Sequence, residues 1–335
     1  MKADSAVNSA AATGFAAPFA RVSAEEAAAL LGDVYGIICG EEPLRLATER
    51  DDTFTVRAVD GRRYILKIAH PGDDGDVINL QSEAMRYARS RDSALPLQDV
   101  ITTRDGRYEP RLPYASGIFR ITRVLTYLSG TTLRHVEPTP EQLAQCGRIQ
   151  ARLVDALADF DHHAARRHLI FDLRCFDDLR PMIRLADTTA VRRVFDWYDT
   201  VLTPRTAELP TQVIHADFSL DNVLVDADDE QFVTGVLDWG DVMSTWRIAD
   251  LVSGLASQVA TTGDPWRAPQ HMIDGYTEVS RLAPAEADLL RGLVAMRITQ
   301  RLLTALHLNE SMPGNSDYLL RNVEFSAAQL TNLTD

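Results

Sequence analysis

Lysine is nearly absent from this 335-residue chain: of 34 basic side chains only Lys2 and Lys67 are lysine, and the other 32 are arginine. Positive charge is also in the minority, with 48 acidic residues setting a formal charge of −14. That balance excludes a sequence-tolerant nucleic-acid binder, which needs a basic footprint to neutralise phosphates. Cysteine is scarce. Cys39, Cys146 and Cys175 are odd in number and widely spaced, so they build no disulfide framework and suit a reducing compartment. No apolar run approaches the roughly 20 residues that a membrane helix requires. The Ala- and Ser-rich start lacks a leucine-rich core behind a basic segment, so residues 1–20 read as a mobile tail rather than a signal peptide. The expectation is a cytoplasmic globular protein with no nucleic-acid or membrane partner; its oligomeric state is not readable.

What is present divides the chain in two. Residues 21–128 hold 15 basic and 17 acidic side chains, whereas residues 129–335 hold 18 and 30. Ser23-Ala-Glu-Glu26 has the capping-box pattern and predicts a helix over 24–36. Alternation over 53–59, the turn pair Asp60-Gly61 and the run 64–68 predict a hairpin. Helical spacing follows at 77–91, then strand-like runs at 97–103 and 118–128. Beyond Ser129-Gly130 the pattern turns helical. Thr139-Pro140 opens a helix to about 160, and further helices are predicted at 176–186, 189–207, 246–261, 267–281, 284–309 and 316–332. Only 223–226 and 232–237 interrupt them as strands. The class is α+β: a small antiparallel lobe with one inserted helix, at 21–128, and a larger helical lobe, at 129–335.

The chemistry concentrates in two stretches of the second lobe. Val213-Ile-His-Ala-Asp-Phe-Ser-Leu-Asp-Asn-Val-Leu-Val225 places His215, Asp217 and Asn222 between two short strands, and the next strand ends in Asp238 and Asp241. Carboxylates and an amide at adjacent strand ends are hard oxygen donors suited to Mg²⁺. A further carboxylate can accept a proton from a hydroxyl. In the first lobe Lys67 lies mid-strand. A composition that drives nearly every cation to arginine has kept a compact ammonium there. Glu83, sixteen residues on, could face back from the inserted helix and pair with it. Phosphoryl transfer asks for this inventory.

The layout resembles the protein-kinase-like fold in its aminoglycoside phosphotransferase branch. H-x-D-x-x-x-x-N stands as His215, Asp217 and Asn222, and Tyr64-Ile-Leu-Lys-Ile68 resembles the V-A-I-K-type strand. Glu49–Phe54, Phe160–Ala165, Leu169–Leu173 and Leu237–Asp241 look most like the hydroxylysine kinase and type II homoserine kinase group. The resemblance implies Asp217 as catalytic base, Asn222 and Asp238 as Mg²⁺ ligands, and Lys67, positioned by Glu83, on the phosphates of ATP or GTP. It implies that the turn from Thr48 through Arg50 to Thr53 covers those phosphates, and that backbone at Val124, Thr126 and Leu128 meets the purine. His215 and Asp241 take supporting places. Two departures stand out: Ala216 occupies a position where glycine is common, and residues 43–60 contain no glycine.

The function expected is transfer of a γ-phosphoryl group to a hydroxyl of a small amino compound, of the hydroxylysine, homoserine or amino-alcohol type. The acidic second lobe favours a cationic acceptor. An antibiotic phosphotransferase shares every catalytic residue and remains the alternative. A non-catalytic nucleotide- or partner-binding module is the rival of another class, though it is expected to have lost one of Lys67, Asp217, Asn222 or Asp238. His162, His163 and His168 invite a zinc reading, but no four-ligand set completes it, so they read as surface or core histidines. Trp246 and Arg247 read as the start of a helix.

Overall fold

The structure is a computed structural model describing residues 20–48, 51–311 and 316–335. Arg50 and all but the last residue of the 1–20 tail lie outside the described residues. The described chain divides into two compact units. One holds the residues up to Arg86 with Pro96–Ser129, and the other holds Tyr87–Leu95 with Gly130–Asp335. The predicted boundary left Tyr87–Leu95 with the first lobe. The segment groups with the second because Asp92 accepts two hydrogen bonds from Arg152, at 2.7 and 2.8 Å, and Tyr87 packs on Phe160.

The first unit opens with the helix Ala24–Leu30, continued by one wider turn to Tyr35. The Ser23 hydroxyl accepts the Glu26 N–H at 3.1 Å, but Glu26 turns its own carboxylate to the Ala115 N–H at 2.6 Å. The capping box is therefore half made, and its glutamate ties the helix to a distant loop. The sheet comprises β1 (Leu44–Leu46), β2 (Asp52–Arg57), β3 (Arg63–Ile68), β4 (Val100–Ile101), β5 (Arg111–Pro113) and β6 (Phe119–Thr126). The strands run in the order β1-β2-β3-β6-β4, with β5 on β6, and every pair is antiparallel. Phe54, Leu66, Ile68 and Val124 fill the core against Leu31 and Tyr35 of the opening helix. An ion cluster is buried beside it: Arg120 reaches the Asp52 carboxylate at 2.6 Å with both side chains shielded from solvent, and Arg45 adds a second contact. The inserted helix spans Gly75–Arg91.

The second unit is mainly helical, carrying two small antiparallel pairings. β7 (Thr131–Thr132), β9 (Val223–Val225) and β10 (Val233–Val236) form one, and β8 (Thr211–Ile214) with β11 (Met243–Trp246) forms the other. Thr139 and Gln142 complete a capping box ahead of the helix Pro140–Ala156. That helix packs on Arg267–Val279 through two glycines. A methyl at Gly147 would stand 2.0 Å from the Met272 carbonyl oxygen, and one at Gly275 would stand 1.9 Å from that of Ala144. Trp246 ends a strand instead of starting a helix. Arg247 follows it, hydrogen-bonded to the buried Glu286 at 3.0 Å. No described helix is long and apolar enough to cross a membrane.

Candidate functional site

In the second unit, the segment between β8 and β9 and the turn after β10 bring the sequence-predicted acidic residues together. β8 delivers His215, which is fully buried, with its Nε2 3.0 Å from the Leu237 carbonyl oxygen and its Nδ1 accepting the Asp217 N–H at 3.4 Å. Burial holds the imidazole below its usual pKa, although Asp250 and Asp238 pull the other way. A neutral ring with Nε2–H serves as a cross-brace between the two segments, and the edge of Trp239 backs it at 5.1 Å.

Ala216 adopts φ +70°, a left-handed conformation that explains why glycine is common there. Two polar side chains of the helix Ile248–Gln258 hold this backbone in place. Asp250, fully buried, accepts the Ala216 N–H at 2.8 Å, and Ser253 accepts the Phe218 N–H at 3.0 Å. The segment therefore presents Asp217 on a fixed frame.

The Asp217 carboxylate accepts the Asn222 amide N–H at 2.5 Å, and Arg297 stands 3.8 Å from its other oxygen. Burial raises its pKa; Arg297 opposes this and Asp238 reinforces it. Asp238 is exposed, with φ +57°, and its carboxylate accepts the Gly240 N–H at 3.1 Å. Burial pushes the Asp241 carboxyl up to about 6, and the Asp217 charge adds to the shift. The negative charge of Asp238 adds to the upward shift at both Asp217 and Asp241, so a cation placed among them would relieve the repulsion. Asn222 spends its N–H on Asp217, which leaves its Oδ1 as a hard oxygen donor. The residues fit a divalent metal.

Asp217 and Asp241 also line a cavity of about 240 Å³. Its wall carries four guanidinium groups, those of Arg134, Arg297, Arg301 and Arg321, none of which the sequence singled out. The net charge of the lobe therefore does not set the charge of the cavity. Arg167, also missed, reaches the carbonyl oxygens of Gly240 and Val242 at 2.5 and 2.9 Å and pins the turn that carries Asp241.

In the first unit, Lys67 lies on β3, opposite Thr53 on β2 and Arg123 on β6. Residues in register share a sheet face, and Arg123 bonds the inserted helix through Gln81 at 2.8 Å. Lys67 thus shares the face that carries this helix, but it forms no ion pair among the described residues. Glu83 bonds Arg86, one turn along its own helix, at 2.5 Å. The Thr53 hydroxyl is buried without a partner among the described residues, and the Thr48 hydroxyl donates to the Asp51 carbonyl oxygen at 2.6 Å. Val124 sits inside the ladder between Leu66 and Ile101. Thr126 has both main-chain groups engaged, its N–H by Asp99 and its carbonyl by Gln98. Leu128 alone of the three lies beyond the end of β6, with no main-chain hydrogen bond among the described residues. Elsewhere, His162 accepts the Ala164 N–H and stacks on His163, and His168 touches Cys175 and Asp178 through opposite ring nitrogens.

The phosphotransferase enzyme family matches residues 44–285. The chain belongs to that family. A hydroxylysine kinase of Danio rerio is 26% identical over 285 residues, covering 81% of this chain and 80% of its own. One from Xenopus laevis is 26% identical over 341 residues, covering 94% and 90%. Among solved structures, an amicoumacin kinase in complex with AMP-PNP and Ca²⁺ superposes with a TM-score of 0.66 at 14% identity, covering 90% of this chain and 93% of the other. The fold is protein-kinase-like, and the enzyme is a small-molecule phosphotransferase, as the paired loops implied.

Proposed function

We propose that this phosphotransferase moves the γ-phosphoryl group of ATP or GTP to a hydroxyl of a small amino compound, with Asp217 as the base. The observation that carries this reading is Asp217 itself, held by Asn222 and exposed to a cavity of about 240 Å³. That volume falls below the ~300–1,000 Å³ of pockets for drug-sized ligands. It favours an acceptor of the hydroxylysine, homoserine or amino-alcohol type over an aminoglycoside.

The acceptor hydroxyl attacks the γ-phosphorus, its proton passes to the Asp217 carboxylate, and the bond to the bridging oxygen breaks to release the nucleoside diphosphate. Asn222 orients Asp217, and the Asp250–Ala216 bond keeps its backbone from drifting, so alignment is present before substrate arrives. Asn222 and Asp238, with Asp241 behind them, would hold Mg²⁺, which neutralises charge on the phosphates when bound. Lys67 supplies the ammonium for those phosphates; Glu83, Thr48 and Thr53 are assigned with it to the nucleotide, as are Val124, Thr126 and Leu128 for the purine. The nucleotide in the amicoumacin kinase complex supports that assignment by likeness of fold. Three free cysteines suit action in the cytoplasm.

A coupled nucleoside-diphosphate assay over hydroxylysine, homoserine, ethanolamine, choline and aminoglycosides tests the proposal, with each of ATP and GTP. Turnover of one small amine that Asp217→Asn abolishes is the expected result. Silence across the panel, together with no melting shift from either Mg²⁺-nucleotide, overturns it in favour of a binding module.

A further inference from the structure

The cavity beside Asp217 carries more positive charge than its own carboxylates answer. Asp221 takes two of the four arginines: Arg134 binds it through two nitrogens, one at 2.6 Å, and Arg321 lies 4.0 Å away. Arg297 is committed to the Phe171 carbonyl at 3.1 Å and the Gln300 side chain at 3.0 Å, and faces Asp217. Arg301 is different. It stands one turn beyond Arg297 on the helix Pro284–Ser311, lines the same cavity, and pairs with no carboxylate among the described residues.

Arg301 is nevertheless fixed in place. Its Nε donates to the Ser326 hydroxyl at 3.0 Å, and one Nη donates to the Gln329 amide oxygen. Gln329 is buried and anchored in turn by the carbonyls of Ala256 and Val259, at 3.2 and 2.6 Å. Neutral partners orient a guanidinium without discharging it. Burial pushes the Arg301 pKa down to about 10, and the charges of Arg297 and Arg134 add to the push. A recessed cation with oriented neutral neighbours is a receptor for an anion, and the planar fork of arginine matches a carboxylate.

We infer that Arg301 binds a carboxylate of the acceptor and selects amino-acid acceptors over the corresponding amino alcohols and diamines. The inference rests on the phosphotransfer reading above and goes further, because it names the part of the acceptor that this site reads. The carboxylate meets Arg301 while the hydroxyl lies at Asp217. The acceptor is then a zwitterion, and the charge that the cavity lacks arrives with it.

Matched acceptor pairs test this with the full-length enzyme and Mg²⁺-ATP or Mg²⁺-GTP. Homoserine is compared with 3-aminopropan-1-ol, and 5-hydroxylysine with 1,5-diaminopentan-2-ol, each pair differing only by the carboxylate. The wild type is expected to favour the carboxylated member by roughly 10- to 100-fold in kcat/KM, the range of a charge-assisted hydrogen bond. In Arg301→Gln that ratio is expected to fall towards one, the loss lying in KM for the amino acid, while Arg301→Lys retains part of it. The wild-type pairs keep the test decisive if the Gln variant fails to fold. A wild type that turns over the decarboxylated member equally well, or an aminoglycoside while both amino acids stay idle, overturns the inference and leaves the kinase reading standing. Silence towards every acceptor with both nucleotides removes the phosphotransfer reading, and the inference with it.

Discussion

The buried carboxylate of Asp250 accepts the main-chain N–H of Ala216 at 2.8 Å, on the residue between His215 and Asp217. It also accepts the Gln150 side-chain amide at 3.1 Å, so one carboxylate joins the helix Pro140–Ala156 to the segment that carries Asp217. Removing it strands a main-chain donor in the interior. Asp250→Ala is expected to cost about 2–4 kcal/mol in urea unfolding and to lower kcat in the surviving folded fraction. Unchanged stability would show that Ser253 alone suffices to hold the segment.

Asp217→Asn keeps the shape of the side chain and removes its basicity. Turnover is expected to fall by about 10²–10⁴-fold, with the melting temperature within a few degrees of the wild type. Asp238→Ala is expected instead to abolish the rise in melting temperature on adding Mg²⁺-nucleotide. Differential scanning fluorimetry beside a coupled assay separates the two roles. A variant at 238 that still responds to Mg²⁺-nucleotide would remove that residue from the metal site.

Ala216 is held at φ +70°. A left-handed conformation costs a non-glycine residue about 1–2 kcal/mol, and glycine escapes that cost while giving back some of it through a freer unfolded chain. Ala216→Gly is therefore expected to raise stability by roughly 0.5–1 kcal/mol, read from the denaturation midpoint. A fall would mean that the alanine methyl makes packing contacts worth more than the strain.

Asp52 controls the acid limb of stability. Burial opposes ionisation of its carboxyl, but hydrogen bonds from Arg120, Arg45 and the Val22 N–H outweigh it and hold the pKa below the usual carboxylate range. A carboxyl depressed in the folded state contributes stability that is complete above its unfolded value, about 3.9, and is lost as pH falls through the folded one. Asp52→Asn is expected to cost about 3–5 kcal/mol at pH 7, because the buried ion pair with Arg120 is broken. The gap from the wild type should narrow below about pH 4. Urea titrations at pH 7, 5, 4 and 3 read both effects, and a gap independent of pH would point to packing rather than charge.

Gly147 and Gly275 let two helices meet backbone to backbone. Alanine at either has no flexible neighbour to displace, so each substitution is expected to cost at least about 3 kcal/mol or to prevent folding. Soluble expression and thermal melting check this, and a melt within a few degrees of the wild type would show that the helices can slide apart.

The family and the acidic end of the site were readable because short motifs carried them. His215, Asp217, Asn222 and Asp238 lie within 24 residues in fixed order, and a strand pattern flanks each group. The long helices and the hairpin at 60–61 were readable from period and turn chemistry. Strands of two to four residues, such as β1, β5, β7 and β11, are too short to show a period, so the helical pattern that follows Trp246 absorbs it in the sequence. Spacing alone predicts a pairing of Lys67 with Glu83, and spacing gives no weight to Arg86, one turn from the glutamate. Arg297 and Arg301 were hidden for another reason. Both lie in a 28-residue helix within a chain whose cations are nearly all arginine, so two that face a cavity look like any others until the fold is known.

That same scarcity of lysine has a practical side. An amine-directed reagent meets only two ε-amino groups in the entire polypeptide, and one of them is Lys67 on β3, partly exposed and free of any ion pair among the described residues. Peptide mapping after brief acylation therefore reads that single strand position with almost no background. A nucleotide lying over the ammonium would register as protection at one mass-shifted peptide, making the chain its own occupancy probe without any introduced label.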